Sequence, residues 1–120
     1  MSTESKHTEL WRRQGCRCLW CGELTWNKDV QTKSEARECL GIEEGAEGSK
    51  RALRRKRATK EHLLPKVRGG TNANYNLASA CFHCNSGRRD DVEPNEAVLR
   101  TLPKKTQTWI LELATHAAAV

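Results

Sequence analysis

Two Cys-x-x-Cys pairs constrain this chain more than any other feature of its sequence. Cys18 and Cys21 form the first pair, and Cys81 and Cys84 form the second. Two thiolates at this spacing can share one tetrahedral metal ion, and each pair leaves two positions for the other to fill. A site closed by four thiolates has no open position, so its role is structural. The sequence therefore predicts a structural Zn²⁺ site that joins two distant parts of the chain.

The composition favours the same interpretation of the cysteines. Only 5% of the 120 residues are aromatic and 30% are charged. The chain therefore cannot bury a large apolar core and needs further stabilisation, such as a structural metal ion or disulfides. It contains no apolar run of membrane-spanning length, and its first residues are polar, unlike a secretory signal. We therefore expect a cytoplasmic protein, prokaryotic or phage-encoded, in which paired cysteines are more often metal ligands than disulfides.

Alternatives for individual cysteines stay open at this point. The two pairs are also compatible with coincidental buried or redox-active thiols, although two matched pairs favour a metal. Cys16 lies beside the first pair and is an alternative ligand to Cys18, but only Cys18 gives the usual spacing to Cys21. We expect Cys39 to remain a free thiol and His83, inside the second pair, not to be a ligand.

The charge balance favours a polyanionic partner. Lys and Arg outnumber Asp and Glu by 21 to 15, which gives a net charge of +6, and many of the cations crowd residues 50–60. Such side chains bind phosphates and give affinity without reading sequence. The alternative is a solvated basic face or a disordered arm. The candidate DNA-binding residues are Arg54, Arg55, Lys56, Arg57, Lys66, Arg68 and Arg89.

The order of segments predicts one domain over residues 1–120. We expect a helix over 3–14, a basic insert over 23–57 with a flexible loop at 41–49, a core over 58–91 and a helical tail over 94–120 that breaks at Pro103. Within the core, short extended segments are predicted at 59–64 and 77–80, with a helix starting near 85. Trp109, Ile110 and Leu113 lie at helical spacing in the tail. They pack on the domain or form a dimer contact; the sequence leaves this open.

Residue types in the core suggest phosphodiester chemistry. Cutting a phosphodiester requires a base for the attacking water and positive charge at the phosphate. His62 is a suitable base because neutral imidazole accepts a proton near pH 7. Glu61 offers a hard carboxylate oxygen suited to Mg²⁺ or Mn²⁺. Neighbouring residues of a strand point to opposite faces, so the two serve one phosphate only if the strand end twists or opens.

The segments 61–70, 76–77 and 81–85, together with the knuckle 18–22, resemble the HNH endonuclease motif. This resemblance implies an α+β fold, namely a small zinc-stapled ββα-metal (HNH, or His-Me finger) domain with flanking helices. It also implies a metal-dependent endonuclease that hydrolyses DNA. The tail after Asp91 and the insert from Glu23 to Lys56 carry no part of the resemblance.

The resemblance also implies a role for each matching residue. Glu61 and Asn85 match the positions that bind the catalytic ion, Mg²⁺ or Mn²⁺, and His62 matches the general base. Asn76 matches the central Asn, which orders the loop and orients the His, and Arg88 falls where the family often has a cation near the phosphate. Two positions depart from the usual pattern, because the family often has Asp in place of Glu61 and His in place of Asn85. The preferred metal therefore stays open.

A second class of function remains beside the nuclease. A noncatalytic zinc-bound DNA-binding module, or an accessory module of a phage packaging complex, would share the zinc site and the basic surface. Both hypotheses predict DNA as partner and no membrane association. A homodimer, or a larger phage or restriction complex, is compatible with either.

Overall fold

The computed structural model of the chain describes residues 4–87 and 92–118, with side chains to residue 115. Within these residues, six α-helices, two single-turn 3-10 helices and one two-stranded antiparallel sheet form an α+β fold, as predicted. The main core cluster lies between the sheet, the first helix, the first cysteine knuckle and the tail. The elements in chain order are α1 Lys6–Arg13, α2 Lys33–Leu40, α3 Ser49–Arg55, β1 Ala58–His62, β2 Leu77–Cys81, α4 Phe82–Gly87, α5 Glu96–Leu99 and α6 Lys104–Ala118.

The sheet positions the residues of the predicted site. β1 pairs with β2 along its whole length, from Ala58 opposite Cys81 to His62 opposite Leu77. Every residue of β2 is buried. In β1 only Ala58 and Glu61 are buried, and Lys60 is exposed. β2 runs directly into α4, which packs on both strands. The hairpin and this helix form the ββα arrangement that the sequence predicted.

Helix α1 is tied to the sheet through a buried amide. Its N-cap Ser5 accepts a hydrogen bond from the Thr8 backbone N–H, and Gln14 is its C-cap residue. The Gln14 side chain donates to the Ser79 carbonyl and accepts from the Ser79 N–H, at 2.9 and 2.8 Å. Because this amide satisfies both backbone groups of a buried β2 residue, α1 covers one face of the hairpin.

The insert contains more helix than the sequence predicted. Helix α2 was not predicted, because Ala36 is its only fully buried residue and it carries no strong apolar stripe. The sequence marks only the two ends of this helix: Thr32 and Glu35 form a capping box at its start, and Gly41 ends it with φ at 68°. The basic run forms helix α3, and it packs through Leu53 in a second small core cluster.

The tail packs on the domain. Its two helices lie on either side of Pro103, as the sequence predicted. Ile110 is buried in the main core cluster, and Trp109 and Leu113 pack against it. This position gives the apolar stripe of α6 a role in the core. In the part of the chain that the structure describes, no helix combines the length and apolar character that crossing a bilayer requires.

Candidate active site and thiol cluster

The four predicted zinc ligands converge. The sulfur atoms of Cys18, Cys21, Cys81 and Cys84 all lie within 4.8 Å of one another. The first knuckle is closed by backbone hydrogen bonds, from Cys18 N to Glu23 O and from Gly22 N to Cys18 O, each 2.9 Å. The second knuckle is made by the end of β2 and the first turn of α4. The cluster therefore clamps the N-terminal part of the chain to the hairpin, and it can hold a metal ion.

The protonation of these thiols explains why a cation suits the cluster. The hydrogen bond with the Cys81 thiol lowers the pKa of Cys18 to about 5. The same bond is the main cause that raises the pKa of Cys81, while burial raises the pKa of Cys84 to about 12. The ionisation of one thiol therefore makes the ionisation of its neighbours less favourable. All four can be thiolates together only when a cation lies among them.

The other cysteines and His83, which the sequence left as possible metal ligands or free side chains, are not part of the cluster. Cys16 is not among the converging sulfurs, which decides the choice between it and Cys18. Cys39 is exposed, and its sulfur accepts a hydrogen bond from Gln31 at 3.6 Å. His83 is not part of the four-cysteine cluster, and its Nε2 lies 3.3 Å from the guanidinium of Arg55.

Glu61, the expected acidic ligand, is buried. Its side chain is only 5% exposed. Its Oε2 accepts a hydrogen bond of 3.0 Å from the indole Nε1 of Trp20, which belongs to the first knuckle. A carboxylate has two oxygens with several lone pairs, so this bond is compatible with a cation at the same group.

Asn85 lies on the Glu61 face of the hairpin. Its Nδ2 donates to the hydroxyl of Thr59 at 2.9 Å and to the carbonyl of Lys60 at 3.2 Å. Thr59 and Glu61 are two residues apart on β1, so their side chains share a face. Both amide hydrogens of Asn85 are used in this way, and its Oδ1 is the atom suited to a cation.

His62 lies at the end of β1 and is half-buried. The regular register reaches His62, so it follows Glu61 onto the opposite face of the strand. Its Nε2 is 2.8 Å from the Oδ1 of Asn72, in the loop between the strands. An amide oxygen only accepts hydrogen bonds, so Nε2 donates and the neutral ring presents Nδ1 as its basic nitrogen.

Asn76 cross-links the loop between the strands. It is 1% exposed and makes four hydrogen bonds. Its Oδ1 accepts from Leu64 N at 2.7 Å and from Trp109 Nε1 at 2.9 Å. Its Nδ2 donates to Leu64 O at 3.1 Å and to Thr71 O at 2.8 Å. The loop therefore closes on one buried amide, just beyond His62.

Two glycines, Gly69 and Gly70, allow the loop between β1 and β2 to close in this way. Gly69 has φ at 97°, and Gly70 donates its N–H to Pro65 O at 2.9 Å. A Cβ at Gly70 would collide with the Leu64 carbonyl. The Gly69-Gly70 pair thus forms a tight turn that a larger residue at Gly70 would force open.

The basic residues differ in their exposure and in their contacts within the protein. Lys56 pairs with Glu23 at 3.3 Å, and the Arg57 guanidinium lies 5.3 Å from the Phe82 ring centroid. Arg51, Arg55 and Lys56 line a groove of about 410 Å³ between α3 and the second knuckle. Arg54, Lys66 and Arg68 are exposed. Arg88 and Arg89, expected near the phosphate, lie outside the described residues.

Three residues that contact the predicted site were missed by the sequence reasoning. Asn72 bonds His62, Trp20 bonds Glu61, and Trp109 bonds Asn76. Asn72 resembles an ordinary turn residue in the sequence. The two tryptophans lie 41 and 33 residues from their partners, so no local pattern links them to the motif.

Comparison with known families adds independent evidence. The HNH endonuclease family model matches residues 45–91, which is less than half of the chain and includes α3, the hairpin and α4. No curated protein and no solved structure matches the chain. HNH domains bind DNA, and the match indicates a nuclease or nucleic-acid-related function. Together with the ββα arrangement and the four-cysteine cluster, the match shows that residues 45–91 are similar to an HNH endonuclease domain.

Proposed function

We propose that this protein is a divalent-metal-dependent endonuclease that hydrolyses phosphodiester bonds in DNA. The observation that carries the proposal is the family match over a segment that holds His62, Glu61 and Asn85 on one hairpin and its helix. A purely structural domain would need neither a histidine with a defined basic nitrogen nor hard oxygen donors on the adjoining residue and helix. Because His62 and Glu61 face opposite sides of β1, the proposal requires the scissile phosphate to lie at the end of the strand, within reach of both.

The residues present fit a catalytic Mg²⁺ or Mn²⁺ ion. Glu61 and Asn85 offer a carboxylate and an amide oxygen on the same face of the hairpin, and hard cations prefer such ligands. Among the described residues, only the four cysteines form a cluster of three or more candidate ligands. Mg²⁺ is often held by one or two protein oxygens with water and substrate phosphate, so this donor set suffices. When bound, the ion supplies positive charge to a phosphate oxygen and to the leaving group.

His62 is the proposed general base. Asn72 holds the Nε2–H, so Nδ1 accepts the proton of the attacking water. Asn76 keeps the loop that carries Asn72 closed over the end of β1. The site has one base, so each encounter cuts one strand, and double-strand cutting needs two copies or two successive nicks.

Two further parts complete the proposal. Zn²⁺ occupies the thiol cluster as a structural ion and contributes on the order of 10 kcal/mol to folding. The exposed cations at Arg54, Arg55, Lys66 and Arg68 bind backbone phosphates. Arg88 and Arg89 are proposed to add charge near the scissile phosphate, on the evidence of their sequence positions.

The test is cleavage of supercoiled plasmid with Mg²⁺, Mn²⁺ or EDTA. We expect metal-dependent nicked or linear product from the unaltered protein and loss of product by about 100-fold or more for His62→Ala, since a general base contributes roughly that much. His7→Gln is the matched control, because His7 bonds Ser79, which is not one of the motif residues, and glutamine can retain that bond. It should cleave normally near neutral pH.

The main alternative is a noncatalytic zinc-bound DNA-binding module, in a phage packaging complex or elsewhere. The burial of Glu61 against Trp20 favours it, because a covered carboxylate is less accessible to an ion. This alternative predicts salt-sensitive DNA binding with no cleavage by folded, zinc-loaded protein in any of the metals. That result would refute the nuclease proposal.

A further inference from the structure

Trp20 links the thiol cluster to the proposed catalytic carboxylate. It lies between Cys18 and Cys21 in the sequence, and the residue is only 9% exposed in the main core cluster. Its indole N–H donates to Glu61 Oε2 at 3.0 Å across 41 residues of sequence. Both side chains are buried, so water competes little for this hydrogen bond.

The chemistry of the indole suits a residue that orients a metal ligand. Its N–H is a neutral donor with no acceptor capacity. A lysine or arginine in its place would neutralise the carboxylate and weaken its attraction for a cation. The indole instead fixes one oxygen of Glu61 and, as a neutral donor, adds no positive charge of its own beside the carboxyl group. Outer partners of this kind orient metal ligands and strengthen metal binding.

The knuckle holds the other end of Trp20. Its backbone N–H donates to the sulfur of Cys18 at 3.3 Å. The next residue back, Leu19, donates its N–H to Ser79 O on β2 at 3.1 Å. The ring is therefore anchored through backbone bonds to the thiol cluster and to the hairpin that carries Glu61.

We propose that Trp20 is a positioning residue that orients Glu61 for the catalytic divalent ion, so that the structural thiol cluster supports the active site directly. This inference rests on the proposed function, in which Glu61 is a ligand of that ion. The structure offers a matched comparison in Trp26, which is also buried and donates its indole N–H to Leu53 O at 2.6 Å, in the other core cluster.

The experiment measures Mn²⁺ binding by calorimetry on the full, zinc-loaded chain, without DNA. We expect Trp20→Phe to weaken Mn²⁺ binding by about tenfold or more, the effect typical of losing an outer partner of a ligand. Trp26→Phe should bind Mn²⁺ like the unaltered protein, although it also loses a buried indole bond. Zinc content and the unfolding midpoint of each variant establish that the fold is retained.

The outcomes separate the two proposals. Unchanged Mn²⁺ affinity in Trp20→Phe, with binding lost in Glu61→Gln, overturns the positioning role and leaves the nuclease proposal standing. Mn²⁺ binding retained in Glu61→Gln refutes Glu61 as a ligand, and both the proposed metal site and this inference fail with it.

A measurement on the unaltered protein covers the case in which Trp20→Phe does not fold. In ¹⁵N-labelled, zinc-loaded protein, Mg²⁺ should shift the indole N–H resonance of Trp20 and leave that of Trp26 in place. The shift should saturate with the dissociation constant that calorimetry gives for Mg²⁺ on the same protein. A Trp20 resonance that stays fixed at saturating Mg²⁺ would overturn the inference.

Discussion

Replacing Asn76 with alanine should destabilise the protein by about 4 kcal/mol. The side chain is 1% exposed and makes four hydrogen bonds, to Leu64 N and O, Thr71 O and Trp109 Nε1, at 2.7 to 3.1 Å. Each such bond contributes about 1 kcal/mol net, and partners left unpaired in the interior cost more. Since a domain of this size has only about 5–15 kcal/mol of stability, the loss is a large share of the total.

Urea unfolding followed by circular dichroism, with Zn²⁺ in constant excess, measures this free energy. Asn74→Ala is the matched control, because Asn74 lies in the same turn and is exposed. It should change the free energy of unfolding by less than about 0.5 kcal/mol. Trp109→Phe removes one of the four bonds and should cost about 1 kcal/mol for that bond. A loss below about 1 kcal/mol for Asn76→Ala would refute the reasoning, because the amide would then not hold the loop.

Three further predictions concern the metal, the DNA surface and pH. Removing Zn²⁺ with a chelator, or Cys81→Ser, should abolish the cooperative unfolding transition, whereas Cys39→Ser should leave it intact because that thiol is exposed and outside the cluster. Arg54→Ala should lower the slope of log affinity for DNA against log salt by about one, with no change in sequence preference; an unchanged slope would remove Arg54 from the interface. Burial, with a smaller contribution from Lys60, lowers the pKa of His7 below its ordinary 6.5. The unfolded chain therefore takes up this proton first as the pH falls, so the His7 contribution to stability is complete above pH 6.5 and is lost below it. The unaltered protein should lose more stability between pH 7.5 and 5.5 than His7→Gln, as measured by urea unfolding at each pH, and equal losses would contradict this.

The features that could be predicted from the sequence came mostly from the spacing of the cysteines and from the order of the motif residues. Two Cys-x-x-Cys pairs predict a shared metal because tetrahedral thiolate geometry leaves few other uses for that spacing. The four sulfurs do converge. The two extended segments were also readable, since they are local patterns bounded by proline, glycine and cysteine. The helix was predicted to start near residue 85, whereas α4 begins at Phe82, inside the second pair, directly where β2 ends. Helix α2 was not predicted, because it is buried through one alanine, Ala36, and has no apolar stripe that the sequence would reveal.

The sequence by itself therefore determined the α+β class, the metal cluster and the residues with chemistry to offer. Only the tertiary structure decided how those residues are held. Trp20 reaches Glu61 from the first knuckle, and Trp109 reaches Asn76 from the tail. Both contacts join residues that are more than thirty positions apart. Periodicity and spacing encode neighbours along a helix or strand, whereas a buried hydrogen bond between distant segments exists only after the core has brought them together.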